Sequence, residues 1–198
     1  IVLSLKQRYP RNVILMMGNH ETGEAYPFDL PQSILNRFGE EGEGVCENYL
    51  KLLRELPIVL VTASGIVAVH GGVPKEKDIN LQLLRDNKNI FHQILWNDPS
   101  PDIDEFEYSQ RGGGIFKFGR SAFDRFMHQI GATIMVRSHQ VLRDGYELLF
   151  GNRLATIFSN GRPSRESRYQ EVNPKFMVLS LGESIPAIDP AEHIISTV

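Results

Sequence analysis

The stretch Ile66-Val67-Ala68-Val69-His70-Gly71-Gly72 decides how the chain is read. Four apolar residues, most of them β-branched, have the character of a buried strand, and the run stops on a histidine followed by two glycines. The pattern recurs at Thr133 to Val136, which runs into Arg137-Ser138-His139-Gln140, and at Val13 to Met17, which runs into Gly18-Asn19-His20-Glu21. Polar residues at the carboxyl ends of adjacent strands converge on one rim of an open α/β sheet, where such sheets bind ligands. Three of the six histidines therefore stand just after apolar strands.

Outward from this stretch, the apolar run begins at Ile58 and is interrupted at Ala63-Ser64-Gly65, and Leu154 to Phe158 supplies a fourth strand. Tyr146 to Phe150, Gly151-Asn152 and Arg153 to Phe158 predict a hairpin closed by a two-residue turn. Val45 to Leu56 predicts a helix, with Val45, Tyr49, Leu52, Leu53 and Leu56 at three- and four-residue spacing. Ser121 to Ile130 predicts another, opened by a Ser121-x-x-Asp124 capping box, and Ile1 to Tyr9 a third. Strands alternating with helices, plus hairpins, imply an α/β sandwich with a mixed sheet. No repeat, low-complexity tract or Ser-, Gly- or Pro-rich linker divides the chain, so one compact unit is expected.

Composition narrows the function classes. Of 198 residues 41% are hydrophobic, and 21 Lys and Arg against 24 Asp and Glu leave a net charge of −3. That balance disfavours generic electrostatic binding to nucleic acid or to an anionic membrane surface, and no apolar run is long enough to span a bilayer. Cys46 is the single cysteine, which excludes an intrachain disulfide and a thiolate zinc cluster and favours a reducing, cytoplasmic setting. Ile1 to Gln7 has no signal-peptide order and reads as the middle of a helix, so the chain is expected to begin inside a domain.

Asn19, His70 and His139 offer one amide oxygen and two imidazole nitrogens, a set suited to Mn, Fe or Zn rather than Ca. They are separated by 51 and 69 residues, so a site built from them exists only once the sheet is assembled. Each histidine taken singly is equally well a loop residue bonded to backbone; the three together at strand ends favour a ligand set. Gly18, Gly71 and Gly72 let the backbone turn sharply and approach a ligand. His92 and His128 lie on helical patterns and His193 in a polar tail, and none is a candidate ligand. Arg111 precedes Gly112-Gly113-Gly114, as befits a guanidinium that clamps a phosphate, although a solvated loop arginine reads the same. Asp98, in the turn Trp96-Asn97-Asp98-Pro99, can orient an arginine by a charge-assisted hydrogen bond. No G-x-x-x-x-G-K-[ST] loop and no G-x-S-x-G elbow occurs, and metal-assisted hydrolysis remains.

The ordered series Gly18-Asn19-His20-Glu21, His70-Gly71-Gly72-Val73, Trp96-Asn97-Asp98-Pro99, Arg111-Gly112, Phe116-x-Phe118-Gly119, Arg137-Ser138-His139-Gln140 and Asp144-Gly145-Tyr146-Glu147 closely resembles the phosphoprotein phosphatase family. Its members are serine/threonine protein phosphatases with the calcineurin-like metallophosphoesterase fold. The resemblance implies a β-sandwich flanked by helices, with two divalent metal ions (Mn, Fe or Zn) on its rim and a bridging hydroxide that attacks phosphorus in line. Carried onto matching positions, Asn19, His70 and His139 would hold the second metal, and Asn19 would also touch the phosphate. His20 would be the general acid, Arg111 would bind phosphate oxygens, and Glu21 and Asp98 would orient these groups. The implied partners are a phosphoprotein substrate and regulatory subunits, without nucleic acid or membrane.

The family's opening motifs, G-D-x-H-G and G-D-x-V-D-R-G, do not occur in this sequence. With them go the ligands of the first metal, the aspartate that bridges both metals and the carboxylate partner of His20. The expectation is an N-terminally incomplete catalytic domain over residues 1–181 that carries the protein ligands of one metal site, followed by a C-terminal tail over 182–198. Ser159-Asn160-Gly161 stands where the family reads S-A-P-N-Y-C, and Tyr169 takes no active-site role. Two other readings stay open: a dinucleoside tetraphosphatase or broad-specificity microbial phosphatase, and a non-catalytic binding module that lacks the first metal site.

Overall fold

A computed structural model of the chain describes residues 1–22, 30–161, 169 and 171–196. The chain forms two compact units, Ile1–Ile58 and Val59–Val198, where the sequence predicts one. The division falls inside the apolar run that starts at Ile58, so no change of composition marks it.

Among the described residues of the first unit are the helices α1 (Val2–Arg8), α2 (Leu30–Phe38) and α3 (Gly42–Glu55). Helix α3 starts three residues before the predicted Val45 because Gly42 packs onto α2. A Cβ there would lie 2.8 Å from Leu35 Cα, so only glycine permits the approach. Val13 to Met17, predicted as a strand, forms no ladder among the described residues. Its Met17 N–H donates to the Pro57 carbonyl at 2.9 Å, a single rung, whereas a strand needs a neighbour along its length. A 3₁₀ turn over Asn19–Glu21 follows.

In the second unit β1 (Val59–Val61) and β2 (Ile66–Val69) make an antiparallel hairpin. Then come α4 (Lys88–Trp96), β3 (Asp98–Pro99), β4 (Phe106–Tyr108), β5 (Phe116–Phe118), α5 (Arg120–Gln129) and β6 (Ile134–Arg137). β7 (Tyr146–Leu149), β8 (Leu154–Ile157), β9 (Lys175–Met177), α6 (Pro190–His193) and β10 (Ile194–Ser196) complete it. The main sheet has the order β1-β2-β6-β8-β7, with β2, β6 and β8 mutually parallel and both outer strands antiparallel to their neighbours. A three-stranded sheet, β3-β5-β4, and the ribbon β10-β9 accompany it.

Alternation along the parallel strands sends side chains to opposite faces. Ile66, Ile134 and Ala155 share one face, where Ile188 from the segment beyond Leu181 joins them, with Leu148, Met177, Leu179 and Ile185 packed around. Helix α5 buries Phe123, Phe126 and Met127. The ring of Phe123 lies 5.1 Å from that of Phe150, which anchors the helix beside the β7–β8 connection.

Two local predictions are corrected. The β7–β8 hairpin closes with Leu149 paired to Leu154, so its loop has four residues, Phe150 to Arg153. Three of them hold positive φ, Phe150 at 53°, Gly151 at 71° and Asn152 at 60°, because the buried Phe150 ring is drawn out of strand register to meet Phe123. The capping box at Ser121 does not form: the N-cap is Gly119, Ser121 Oγ donates to Asp104 Oδ1 at 2.6 Å, and Asp124 pairs with Arg120 and Arg153. Long-range charged and hydroxyl partners outcompete the local cap.

Gly71 offers a test of close packing, since a Cβ there would lie 2.5 Å from the Leu95 carbonyl carbon. Gly71→Ala is expected to destabilise the protein by about 1–3 kcal/mol in urea denaturation. Gly44→Ala, in α3 with open space around it, is expected to be neutral or stabilising by up to about 1 kcal/mol.

Candidate active site

Parallel pairing of β2 with β6 aligns Ala68 with Val136 and so brings both strand ends to one rim. The Ser138 N–H donates to the His70 carbonyl at 3.1 Å, which locks the two exits side by side. His139 then takes φ 71°, a left-handed conformation that a non-glycine residue adopts at a cost. Its Nδ1 lies 3.2 Å from His70 Nε2, and the two rings meet edge to face. Trp96, from the end of α4, sets its ring against His139 with centroids 5.6 Å apart.

Arg111 occupies the tip of the β4–β5 hairpin. Its Nη1 is 2.6 Å from His139 Nε2, and its Nη2 is 3.3 Å from Asp98 Oδ2. A guanidinium only donates, so His139 Nε2 is the acceptor and the ring proton resides on Nδ1, facing His70. Asp98 Oδ1 accepts from Arg137 Nη2 at 3.0 Å, so one carboxylate joins two arginines of different exposure. Arg111 stays partly open to solvent, whereas the Arg137 side chain is wholly buried. Burial pulls the Arg137 guanidinium down to about 10, against the opposing pull of Asp98, and it remains charged at neutral pH.

Arg137 and Asn97 are the site residues that sequence reasoning missed. Arg137 also donates to the Gly71 carbonyl, to Gln140 Oε1 and, at 3.2 Å, to Thr156 Oγ1, which fixes the turn that carries His70. Its signal was available: a charge at the end of the apolar strand Ile134-Met135-Val136 requires partners. Asn97 is fully buried, donates to the Val73 carbonyl and accepts from the Phe116 N–H, both at 2.8 Å. It thereby ties the turn that carries Asp98 to the segment after β2 and to β5.

In the first unit Glu21 Oε2 accepts from the Gly18 N–H at 2.8 Å, and Thr22 Oγ1 donates to the Asn19 carbonyl at 3.1 Å. These bonds tighten the turn in which Asn19 is buried and His20 exposed.

His70 Nε2 and His139 Nδ1 fit a cation. Nitrogens 3.2 Å apart can share one ion at bond lengths of about 2.0–2.1 Å, and imidazole suits Mn, Fe and Zn. Among the described residues no group of three or more His, Cys, Asp or Glu side chains is placed to hold a metal ion, so the pair offers two donors. Nor is any helix among them long and apolar enough to cross a membrane.

A family profile described as calcineurin-like phosphoesterase matches residues 2–143, and the chain belongs to that family, whose members use divalent metal cofactors. The chain is 30% identical over 167 residues to a protein phosphatase 2A catalytic subunit of Dictyostelium discoideum, covering 80% of this chain and 53% of the relative. It is 29% identical over 167 residues to the serine/threonine-protein phosphatase 6 catalytic subunit of Caenorhabditis elegans, covering 80% and 50%. The chain thus spans about half the length of these relatives. In fold it is similar to a Saccharomyces cerevisiae protein serine/threonine phosphatase described as similar to human phosphatase PP5. The TM-score is 0.67 at 23% identity, over 81% of this chain and 51% of the other.

Asp98→Ala leaves Arg137 buried without its counter-charge. It is expected to lower unfolding free energy by about 3–5 kcal/mol, read by chemical denaturation. His70→Ala and His139→Ala are each expected to lower the zinc or manganese retained after desalting, measured by elemental mass spectrometry.

Proposed function

We propose that this chain carries part of the active centre of a metal-dependent serine/threonine protein phosphatase, which hydrolyses phosphomonoesters of phosphoprotein substrates. The observation that carries the proposal is the facing pair His70 Nε2 and His139 Nδ1 beside an arginine anchored by Asp98. A phosphate monoester needs a cation and a guanidinium next to each other, and this rim offers donors for the first and supplies the second. The kinship to protein phosphatase catalytic subunits supports the same reading.

In this proposal His70 and His139 would hold a divalent metal, drawn from Mn, Fe or Zn, and Asn19 keeps the ligand role that its motif implies. When bound, the metal supplies Lewis-acid polarisation of the phosphoryl oxygen and activation of water. To hold a cation through Nδ1, His139 would carry its ring proton on Nε2, which lies 3.9 Å from Asp98 Oδ1. Arg111, tethered through Asp98, can clamp phosphate oxygens and stabilise the charge that builds on them. His20 protonates the departing serine or threonine oxygen, with the Gly18–Glu21 bond fixing its turn. The roles of Asn19, His20 and Glu21 rest on their motif.

Arg111→Ala in the metal-loaded protein is expected to lower kcat by about 10²–10³-fold and to weaken phosphopeptide binding. Phosphate release kinetics with unchanged KM and kcat would defeat the clamp. His20→Asn is expected to lower turnover of phosphopeptides by about 10²–10⁴-fold and of p-nitrophenyl phosphate by less, because that leaving group needs no proton. Equal losses on the two substrates would remove His20 from the general-acid role.

A further inference from the structure

A cavity of about 450 Å³ opens at the base of the hairpin that carries Arg111, lined by Lys75, Glu76, Asn89, Gln93, Tyr108 and Phe116. Its polar wall is asymmetric. Gln93 is buried and its amide is committed: Oε1 accepts from the Lys75 N–H at 2.7 Å, and Nε2 donates to Glu76 Oε1 at 3.3 Å. Glu76 Oε2 is buried too and, among the described residues, has no hydrogen-bond partner. A buried carboxylate oxygen without a donor is costly, and the matching group is a cationic N–H.

The aromatic wall points the same way. Lys75 Nζ lies 4.9 Å from the centroid of the Phe116 ring and 5.9 Å from that of Tyr108. The two rings tilt against each other with centroids 4.9 Å apart. Tyr108 nevertheless remains 78% exposed, so most of its ring is available to a second partner. The resident ammonium shows which sign of charge these ring faces accept. An arginine suits the cavity better than a lysine, since its planar guanidinium stacks on an aromatic ring while its fork meets a carboxylate.

The cavity is also close to the phosphate clamp. Tyr108 pairs with Phe116 across β4 and β5, and Ser109 N–H donates to the Ile115 carbonyl at 2.9 Å, so Arg111 lies in the connection directly above. Two residues, Ser109 and Gln110, separate Tyr108 from Arg111, a span of at most about 11 Å between their Cα atoms. We infer that the Glu76–Tyr108 cavity is a specificity subsite that takes a basic side chain, arginine above lysine, two or three residues from the phosphorylated residue of a peptide substrate. The inference rests on the phosphatase reading and adds a substrate class to it. Lys75 is the internal competitor that a substrate arginine displaces from the rings.

The test is a set of phosphoserine peptides with arginine, lysine or alanine moved through the flanking positions, assayed on the metal-loaded full chain. KM and kcat are read beside p-nitrophenyl phosphate turnover, and peptide binding is read separately by fluorescence anisotropy. Arginine at one flanking position is expected to lower KM and tighten binding by about tenfold relative to alanine, with kcat nearly unchanged. Glu76→Gln and, without touching a buried polar group, Tyr108→Leu should each erase that preference and leave p-nitrophenyl phosphate turnover intact. Lys75→Ala should enlarge it. Turnover of p-nitrophenyl phosphate with no arginine preference at any position in KM or binding overturns the subsite. A preference that survives both Glu76→Gln and Tyr108→Leu does the same. Arginine-dependent binding that these variants erase, in a protein that hydrolyses neither substrate, defeats the phosphatase reading and upholds the subsite.

Discussion

The buried ion pair between Asp98 and Arg137 is the interaction on which the rim depends. Arg137 ends β6, Asp98 begins β3, and the same guanidinium reaches the Gly71 carbonyl beyond β2. One planar group with several donors thus fastens the start of β3, which lies in another sheet, to the ends of the paired strands β2 and β6. Two charges taken out of water bring little net stability compared with an apolar replacement, but they fix direction. Here the fixed direction is that of Asp98 Oδ2, which faces Arg111.

Around that pin the site is divided between rigid and compliant parts. His70 and His139 project from the ends of adjacent parallel strands, where backbone bonds leave little freedom. Arg111 stands at a hairpin tip followed by Gly112, Gly113 and Gly114, all at positive φ, with no side chains to brace it. Its position is set by its partners, His139 and Asp98, rather than by its own backbone. In the proposed reaction, a rigid imidazole pair beside an adaptable guanidinium would suit an anion that changes shape while a cation stays.

Much of this was legible in the sequence, for a physical reason. Buried parallel strands are written as continuous apolar runs, so β2, β6 and β8 announce themselves, and the polar residue that ends each run marks the rim. Helices α3 and α5 were equally plain from their spacing. What escaped were features set by distant partners. Val13 to Met17 has strand composition but no ladder among the described residues, Ser121 turns from its own helix to Asp104, and Phe150 leaves strand register for the core. Arg137 was visible as a residue, but its pairing with Asp98 spans 39 positions and appears only in the folded chain. The division at Ile58 was hidden because an apolar run crosses it.

The left-handed backbone of His139 carries a consequence for how this position can vary over evolutionary time. Apart from glycine, the residues that tolerate such a torsion best are asparagine, aspartate and histidine. All three hold lone pairs on short side chains that can reach a metal cation. The conformational filter and the chemical filter therefore admit nearly the same small alphabet, and a neutral drift that satisfies the torsion alone still tends to leave a donor at the rim.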